Sequence, residues 1–304
     1  TNLIIARGDM FTYFYPYWDY AAEATRQGRL PLWNPYLFMG APFLANSQAG
    51  FFYPFNRVLS WLPVMRAVNL TIILHAWIAG LGVYVLGRRS LNLSRAAAWL
   101  AGSTFAVGGY LTAQVEHLNQ LQGLAWLPWL FVMFDWGTTT PLAWVGLALS
   151  VALQLLTGHT QSAFISLFGL SVYALLDGLA QSRGAAARRW LALAGAVALG
   201  AGLAAVQLIP TVELAQLSMR SGGLTWREAV SFSLKPALMG RALLPAYSHA
   251  IFPEYIAYVS ITGLAFITLG LLSRWGDRRV RAMLAVGGLG LFFALGGYNP
   301  LYLV

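Results

Sequence analysis

Eight apolar stretches, separated by short polar or arginine-bearing segments, restrict the fold of this chain more than any motif does. They are Ala67–Leu86, Ala96–Thr112, Gly123–Phe134, Pro141–Thr157, Ser162–Leu179, Trp190–Ile209, Tyr255–Leu272 and Ala282–Gly296. A bilayer-crossing helix needs roughly 20 mostly apolar residues, because in lipid every backbone N–H and C=O must be bonded inside the segment. Gly123–Phe134 is the short one, expected to tilt, to extend back to Leu118 or to re-enter. With 58% hydrophobic and 10% charged residues, and a mean hydropathy of +0.62, the composition exceeds what a water-soluble core and surface accommodate. The predicted class is an all-α, polytopic integral membrane helical bundle.

Arginines orient the spans, since short cytoplasmic loops are enriched in Lys and Arg. Arg88, Arg89 and Arg95 mark one inner loop, Arg183, Arg188 and Arg189 a second, and Arg274, Arg278, Arg279 and Arg281 a third. Alternation then places Gln114–Gln122, Gly158–Gln161 and residues 210–254 outside, with residues 1–66 as the first extracytoplasmic loop and 67–304 as the bundle. Thr1–Ala6 reads as the outer end of a helix that begins upstream, so the chain is expected to be a fragment of something longer. The net charge of +9 comes from 19 basic residues that form no single long tract. Membrane orientation accounts for them without nucleic acid. The absence of cysteine excludes disulfides, thiolate metal sites and cysteine nucleophiles from this stretch.

Residues 1–66 are too polar and too Pro-broken to cross a bilayer. Tyr13, Phe14, Tyr17, Trp18 and Tyr20, with Arg26 and Arg29, suit helices lying in the headgroup layer. Three prolines and a glycine between Pro31 and Ala45 predict a fixed, irregular loop there. Within the spans, Gly195, Gly200 and Gly202, and Gly287, Gly288 and Gly290, read as small-residue faces for close helix packing.

Chemistry is sought among the polar groups of the outer face. Asp9 is one of only 10 acidic residues and stands just before the aromatic segment; its plain alternative is an N-cap. Asp19, Glu23 and Arg26 have the spacing of a solvated helix face. Glu116 and His117 lead into a run broken by Gln120 and Gln122, and His159 and Gln161 occupy the matching outer end of a later span. Amides and imidazoles there bind a sugar or phosphate, or else tie helices together. Arg220, Arg227, Lys235 and Arg241 lie in the 210–254 loop, where they are expected to hold a lipid-linked phosphate or anionic headgroups. His75, inside a span, reads as a hydrogen-bonded packing residue. His117 and His159 lack zinc-ligand spacing. No cofactor is predicted, and a divalent metal is left open.

Gly8-Asp9 at the start, PLWNPYLFMGAP from Pro31, HLNQLQGLAWLPW from His117 and GHTQ from Gly158, in that order, resemble the YfhO-type bacterial membrane proteins of the GT-C class. The resemblance implies a polyprenyl-phosphate-sugar-dependent glycosyltransferase in the bacterial cytoplasmic membrane, with interfacial helices in the first outer loop. It implies Asp9 as the catalytic base. Many GT-C enzymes carry an adjacent acid where this chain has Met10, which leaves Glu116 as the second carboxylate. His117, Gln120, His159, Gln161 and the four cations of the long outer loop are then the substrate-binding candidates. The competing expectation is a non-catalytic scaffold of the same fold, packed against other membrane subunits. Transport is less supported, because the charges gather at span ends, Asp135 and Asp177 among them as inner-boundary residues.

Overall fold

The computed structural model describes residues 8–219, 221–244 and 255–300. The expected end of an upstream helix at residues 1–6, and the outer-loop residues Arg220 and Glu254, lie outside the described residues. The described chain is helical apart from one short antiparallel pairing, Trp33–Asn34 with Ala41–Pro42.

A π-helical segment, Met10–Phe14, runs directly into α1 (Tyr15–Arg26), with Pro16 in the first turn, where its missing N–H leaves no bond unmade. The buried side of α1 carries Tyr17, Trp18 and Ala22, while Glu23 pairs with Arg26 at 3.2 Å on the outer side. The expected irregular loop follows, fixed by the short pairing of Trp33–Asn34 with Ala41–Pro42. Phe38 and Met39 at its turn adopt positive φ and are fully exposed. Next come α2 (Pro54–Leu59), α3 (Val64–Arg89), α4 (Arg95–Ala106), α5 (Gly109–Ala113), α6 (Leu118–Ala125), α7 (Leu127–Gly137) and α8 (Leu142–Leu156). The chain continues through α9 (Thr160–Leu179), α10 (Arg183–Leu203), α11 (Ala205–Gln216), α12 (Trp226–Ala229), α13 (Met239–Leu243), α14 (Ile261–Ser273) and α15 (Arg278–Ala294).

Two of these helices, α3 and α9, are long and apolar enough to cross a membrane, and the count rises to three if α10 and α11 form one bent span. The other expected spans are shorter or broken. Ala96–Thr112 divides into α4 and α5 at Gly108, whose backbone is extended. Gly123–Phe134 divides at Trp126, and Pro128 in the first turn of α7 lacks the N–H that would join it to α6. Trp190–Ile209 bends by 81° between α10 and α11.

Two cores organise the helices. Met10, Phe14 and Trp18 pack onto Val64, Val68 and Ile72 of α3 and Leu118 and Leu121 of α6. Leu130, Phe134, Leu147, Val151, Leu170, Tyr173 and Leu193 unite α7, α8, α9 and α10, and Ala282 of α15 joins them. The small-residue reading is corrected at all but one position. A Cβ on Gly200 would press on Val151 and on the Ala148 carbonyl, whereas Gly195, Gly202, Gly287, Gly288 and Gly290 have nothing within 4 Å. Close helix approach occurs instead between Gly80 of α3 and Gly102 of α4, where a Cβ on Gly102 would meet the Gly80 carbonyl oxygen at 2.5 Å.

The three arginine-bearing loops lie at one end of the molecule. Arg274 donates to the Leu91 carbonyl (3.1 Å) and Arg279 to that of Ser90 (2.6 Å), while Arg189 and Arg278 both pair with Asp177. Asp177 is fully buried, and Asp135 is buried with its carboxylate accepting from the Tyr173 hydroxyl at 3.1 Å. Asp177 thus lies at the arginine end, as its inner-boundary reading expects, buried beneath Arg189 and Arg278, while Asp135 is buried against Tyr173. The 20 residues of α9 separate this end from His159 by roughly 30 Å.

Candidate functional site

Three chain segments meet at the end of α9 opposite the arginines. The first is Gly8-Asp9 at the entrance to the π-helical segment. Gly8 has φ +60, and a Cβ on it would stand 2.5 Å from Glu116 Oε2. Its lack of a side chain therefore seats Asp9 against the second segment, the turn that ends at His117. Asp9 is helical in backbone angle and its carboxylate makes no cap bond. Instead, Asp9 Oδ2 lies 3.4 Å from His117 Nε2. The Asp9 side chain is 62% exposed, and that of His117 is 24% exposed.

His117 occupies the junction between a 3₁₀ turn, Gln114–Glu116, and α6, with its Nδ1 3.3 Å from Gln114 Oε1. Beyond it, Asn119 Oδ1 accepts from the Gln120 backbone N–H (2.9 Å), and the Gln120 side chain donates to the Tyr110 hydroxyl (3.2 Å). The third segment is the start of α9. His159 is the residue before its first turn, and its Nδ1 accepts from the Ser162 backbone N–H (3.2 Å) and lies 2.7 Å from the Ser162 hydroxyl. A backbone N–H can only donate, so the Nδ1 is unprotonated and the proton of the neutral ring sits on Nε2. Burial, reinforced by the nearby His117, pushes the His159 pKa down to about 4.

These segments enclose an open cleft of about 370 Å³. Asp9, His117, Gln120 and His159 line it, whereas Glu116, the expected second carboxylate, approaches Gly8 without lining the cleft. Thr12, Tyr13, Phe14, Gln48 and Asn119 complete the wall. Tyr13 was read as a headgroup residue; here its hydroxyl accepts from Asn46 Nδ2 (2.8 Å), and burial raises its pKa. Gln48 carries no recognisable signal in the sequence, because a 3₁₀ turn, Ser47–Ala49, delivers it.

The remaining candidates lie elsewhere. Gln161 is exposed on the first turn of α9 and does not line the cleft. Arg227, Lys235 and Arg241 do not line it either. Their segment is tied to the far end of α15, with the Leu234 N–H donating to the Ala294 carbonyl (2.8 Å) and the Gly297 N–H to Ser233 Oγ (2.8 Å). A long loop of mixed charge gives no indication of which surface it packs on. Among the described residues, no three His, Asp or Glu side chains are arranged to hold a metal ion.

His75 lies away from the cleft and is satisfied through both ring nitrogens. Its Nδ1 donates to the Thr71 carbonyl (2.8 Å), and its Nε2 accepts from the Tyr53 hydroxyl (2.7 Å), whose oxygen accepts from Trp126 Nε1 (2.9 Å).

No family model, curated protein or solved structure matches this chain. A carboxylate beside an imidazole, in an opening walled by amides and hydroxyls, is suited to removing a proton from a bound hydroxyl group.

Proposed function

We propose that this chain is part of a membrane glycosyltransferase similar to the GT-C class, which transfers a sugar from a polyprenyl-phosphate donor to an extracytoplasmic acceptor. The observation that carries this reading is the Asp9–His117 pair, free of any capping role and open to a cleft at the end opposite the arginine loops. Asp9 takes the proton of an acceptor hydroxyl as its oxygen attacks the anomeric carbon. The bond from that carbon to the phosphate oxygen breaks, and the phosphate leaves with the electron pair. A phosphate leaves without an acid, so one base suffices, unlike the paired carboxylates of glycoside hydrolysis. His117 holds the carboxylate toward the cleft. Gln120 and Asn119 offer amide groups suited to sugar hydroxyls.

The proposal places the molecule in the bacterial cytoplasmic membrane, with residues 1–66 and 210–254 on the outer side and lipid as its immediate surroundings. Transfer of sugar by the reconstituted full-length protein tests it. Asp9→Asn is expected to lower the rate by about 100-fold or more, the usual range for losing a general base, while donor binding persists. A wild-type rate in that variant sinks the proposal.

One observation favours a second reading, a non-catalytic scaffold within a larger membrane complex. Arg227, Lys235 and Arg241, expected to hold the departing phosphate, stand away from the cleft. On that reading Asp9→Asn leaves every activity of the complex unchanged.

A further inference from the structure

We propose that His159 is a fixed hydrogen-bond donor of the cleft, presenting Nε2–H to a phosphoryl oxygen of the bound donor. The inference rests on the glycosyl-transfer reading for the identity of the phosphate. It does not depend on Asp9 acting as the base.

The ring has two nitrogens, and the fold consumes one. Ser162 holds Nδ1 through its backbone N–H (3.2 Å) and sits within 2.7 Å through its hydroxyl, so that nitrogen points back into its own helix. The ring lines the cleft, and among the described residues its Nε2 has no hydrogen-bond partner. A ring with a committed Nδ1 and a protonated Nε2 is a donor and not a base. His117 differs. Its Nε2 faces the Asp9 carboxylate at 3.4 Å, so the two histidines of one cleft serve opposite purposes.

The donor is also rigid. Gly158, just before it, has φ +86 and packs so closely on the Ser47 carbonyl that any Cβ would overlap it. Ser47 Oγ in turn donates to the Gly158 carbonyl (3.2 Å). A donor fixed in advance stabilises an oxyanion without reorganising when charge develops. Burial keeps this ring neutral near pH 7, so it meets a phosphate through a directed N–H in place of a mobile charge. That function is the one the outer-loop cations were expected to perform.

The full-length protein in nanodiscs, labelled with ¹⁵N at histidine, tests this directly. His159 is expected to show a protonated Nε2 and an unprotonated Nδ1, unchanged between pH 8 and pH 5.5. Polyprenyl phosphate is expected to shift its Nε2 resonance. If inorganic phosphate does so as well, the headgroup alone is recognised; if only the lipid does so, the tether is required. Both outcomes support the assignment. An Nδ1–H tautomer, or no response to either phosphate, overturns it.

Two variants separate donation from simple packing. His159→Gln retains an N–H and is expected to keep polyprenyl-phosphate affinity within a few fold. His159→Phe is expected to lose roughly 10-fold or more, the range for a hydrogen bond to a charged group. Equal affinity in the Gln and Phe variants, with both folded, also overturns the assignment. Failure of Asp9→Asn to slow transfer, with the His159 response intact, would strike the base and leave the donor standing.

Discussion

Ser47 Oγ donates to the carbonyl of Gly158 at 3.2 Å, which joins the first loop to the start of α9 across most of the first half of the chain. The contact depends on the absence of a side chain at Gly158 and on its left-handed backbone. It fixes one wall of the cleft, because Gln48 and His159 flank the two partners.

Gly158→Ala is therefore expected to destabilise the protein by about 1–3 kcal/mol, from backbone strain at positive φ together with displacement of the Ser47 turn. Gly195→Ala, in open space on α10, is expected to be neutral or slightly stabilising, since alanine is the better helix former. Thermal unfolding of both variants in the same detergent makes the comparison. Equal midpoints would show that the Ser47–Gly158 approach is not needed.

Asp9→Ala is expected to leave stability within about 0.5 kcal/mol of wild type, because an exposed carboxylate with no cap bond contributes little to folding. An authentic N-cap would cost about 1 kcal/mol. Retained stability with lost transfer distinguishes a chemical role from a structural one.

Asp177→Asn is expected to cost on the order of 3–5 kcal/mol, since it leaves Arg189 and Arg278 facing an interior site without its countercharge. Asp19→Asn, on the exposed side of α1, should have no measurable effect. A shift in melting temperature confined to Asp177→Asn bears this out; an unchanged midpoint refutes it.

Tyr53→Phe removes the hydroxyl that serves both His75 and Trp126. His75 is fully buried, and a buried group left unpaired costs about 1–3 kcal/mol. The expected result is a lowered melting temperature and altered tryptophan emission. Loss of neither would mean that the triad is not closed in solution.

Acid should weaken the cleft. The folded-state pKa of His159 is depressed from 6.5 to about 4, so between those values the unfolded chain binds the extra proton. Stability from this group is thus present above about pH 6.5 and declines as pH falls toward 4, by at most about 1.4 kcal/mol per pH unit. His159→Gln is expected to flatten that slope. Melts between pH 7.5 and pH 4.5 measure it, and identical slopes would contradict the assignment.

Much of the helical architecture is legible in the sequence, for a local reason. Apolar runs of bilayer length forecast α3 and α9, and Ser94, Ser182 and Asp277 cap α4, α10 and α15 in the manner expected of such residues. The breaks at Gly108 and Trp126 were harder to place. Glycine and proline weaken a helix without dictating where it stops, and neighbouring helices decide that. The glycine runs misled for a similar reason, since a small residue permits close approach but does not supply the partner.

The candidate site divides along the same line. Asp9, His117, Gln120 and His159 were identified as residues, yet their convergence on the cleft depends on Gly8 fitting against Glu116 and on Gly158 fitting against Ser47. Gln161 and the described outer-loop cations share their composition and their expected side of the membrane, but the chain carries them away from the cleft.

By itself, then, the sequence determines that the chain is helical and greasy, with arginine-bearing loops and a few polar residues between apolar runs, because composition and periodicity are local properties. Tertiary structure alone decides that Asp9 faces His117 instead of capping its own helix, and that His159 turns one nitrogen inward and leaves the other for the cleft. Those choices are made by contacts between residues far apart in the chain, and no local pattern encodes the distance between them.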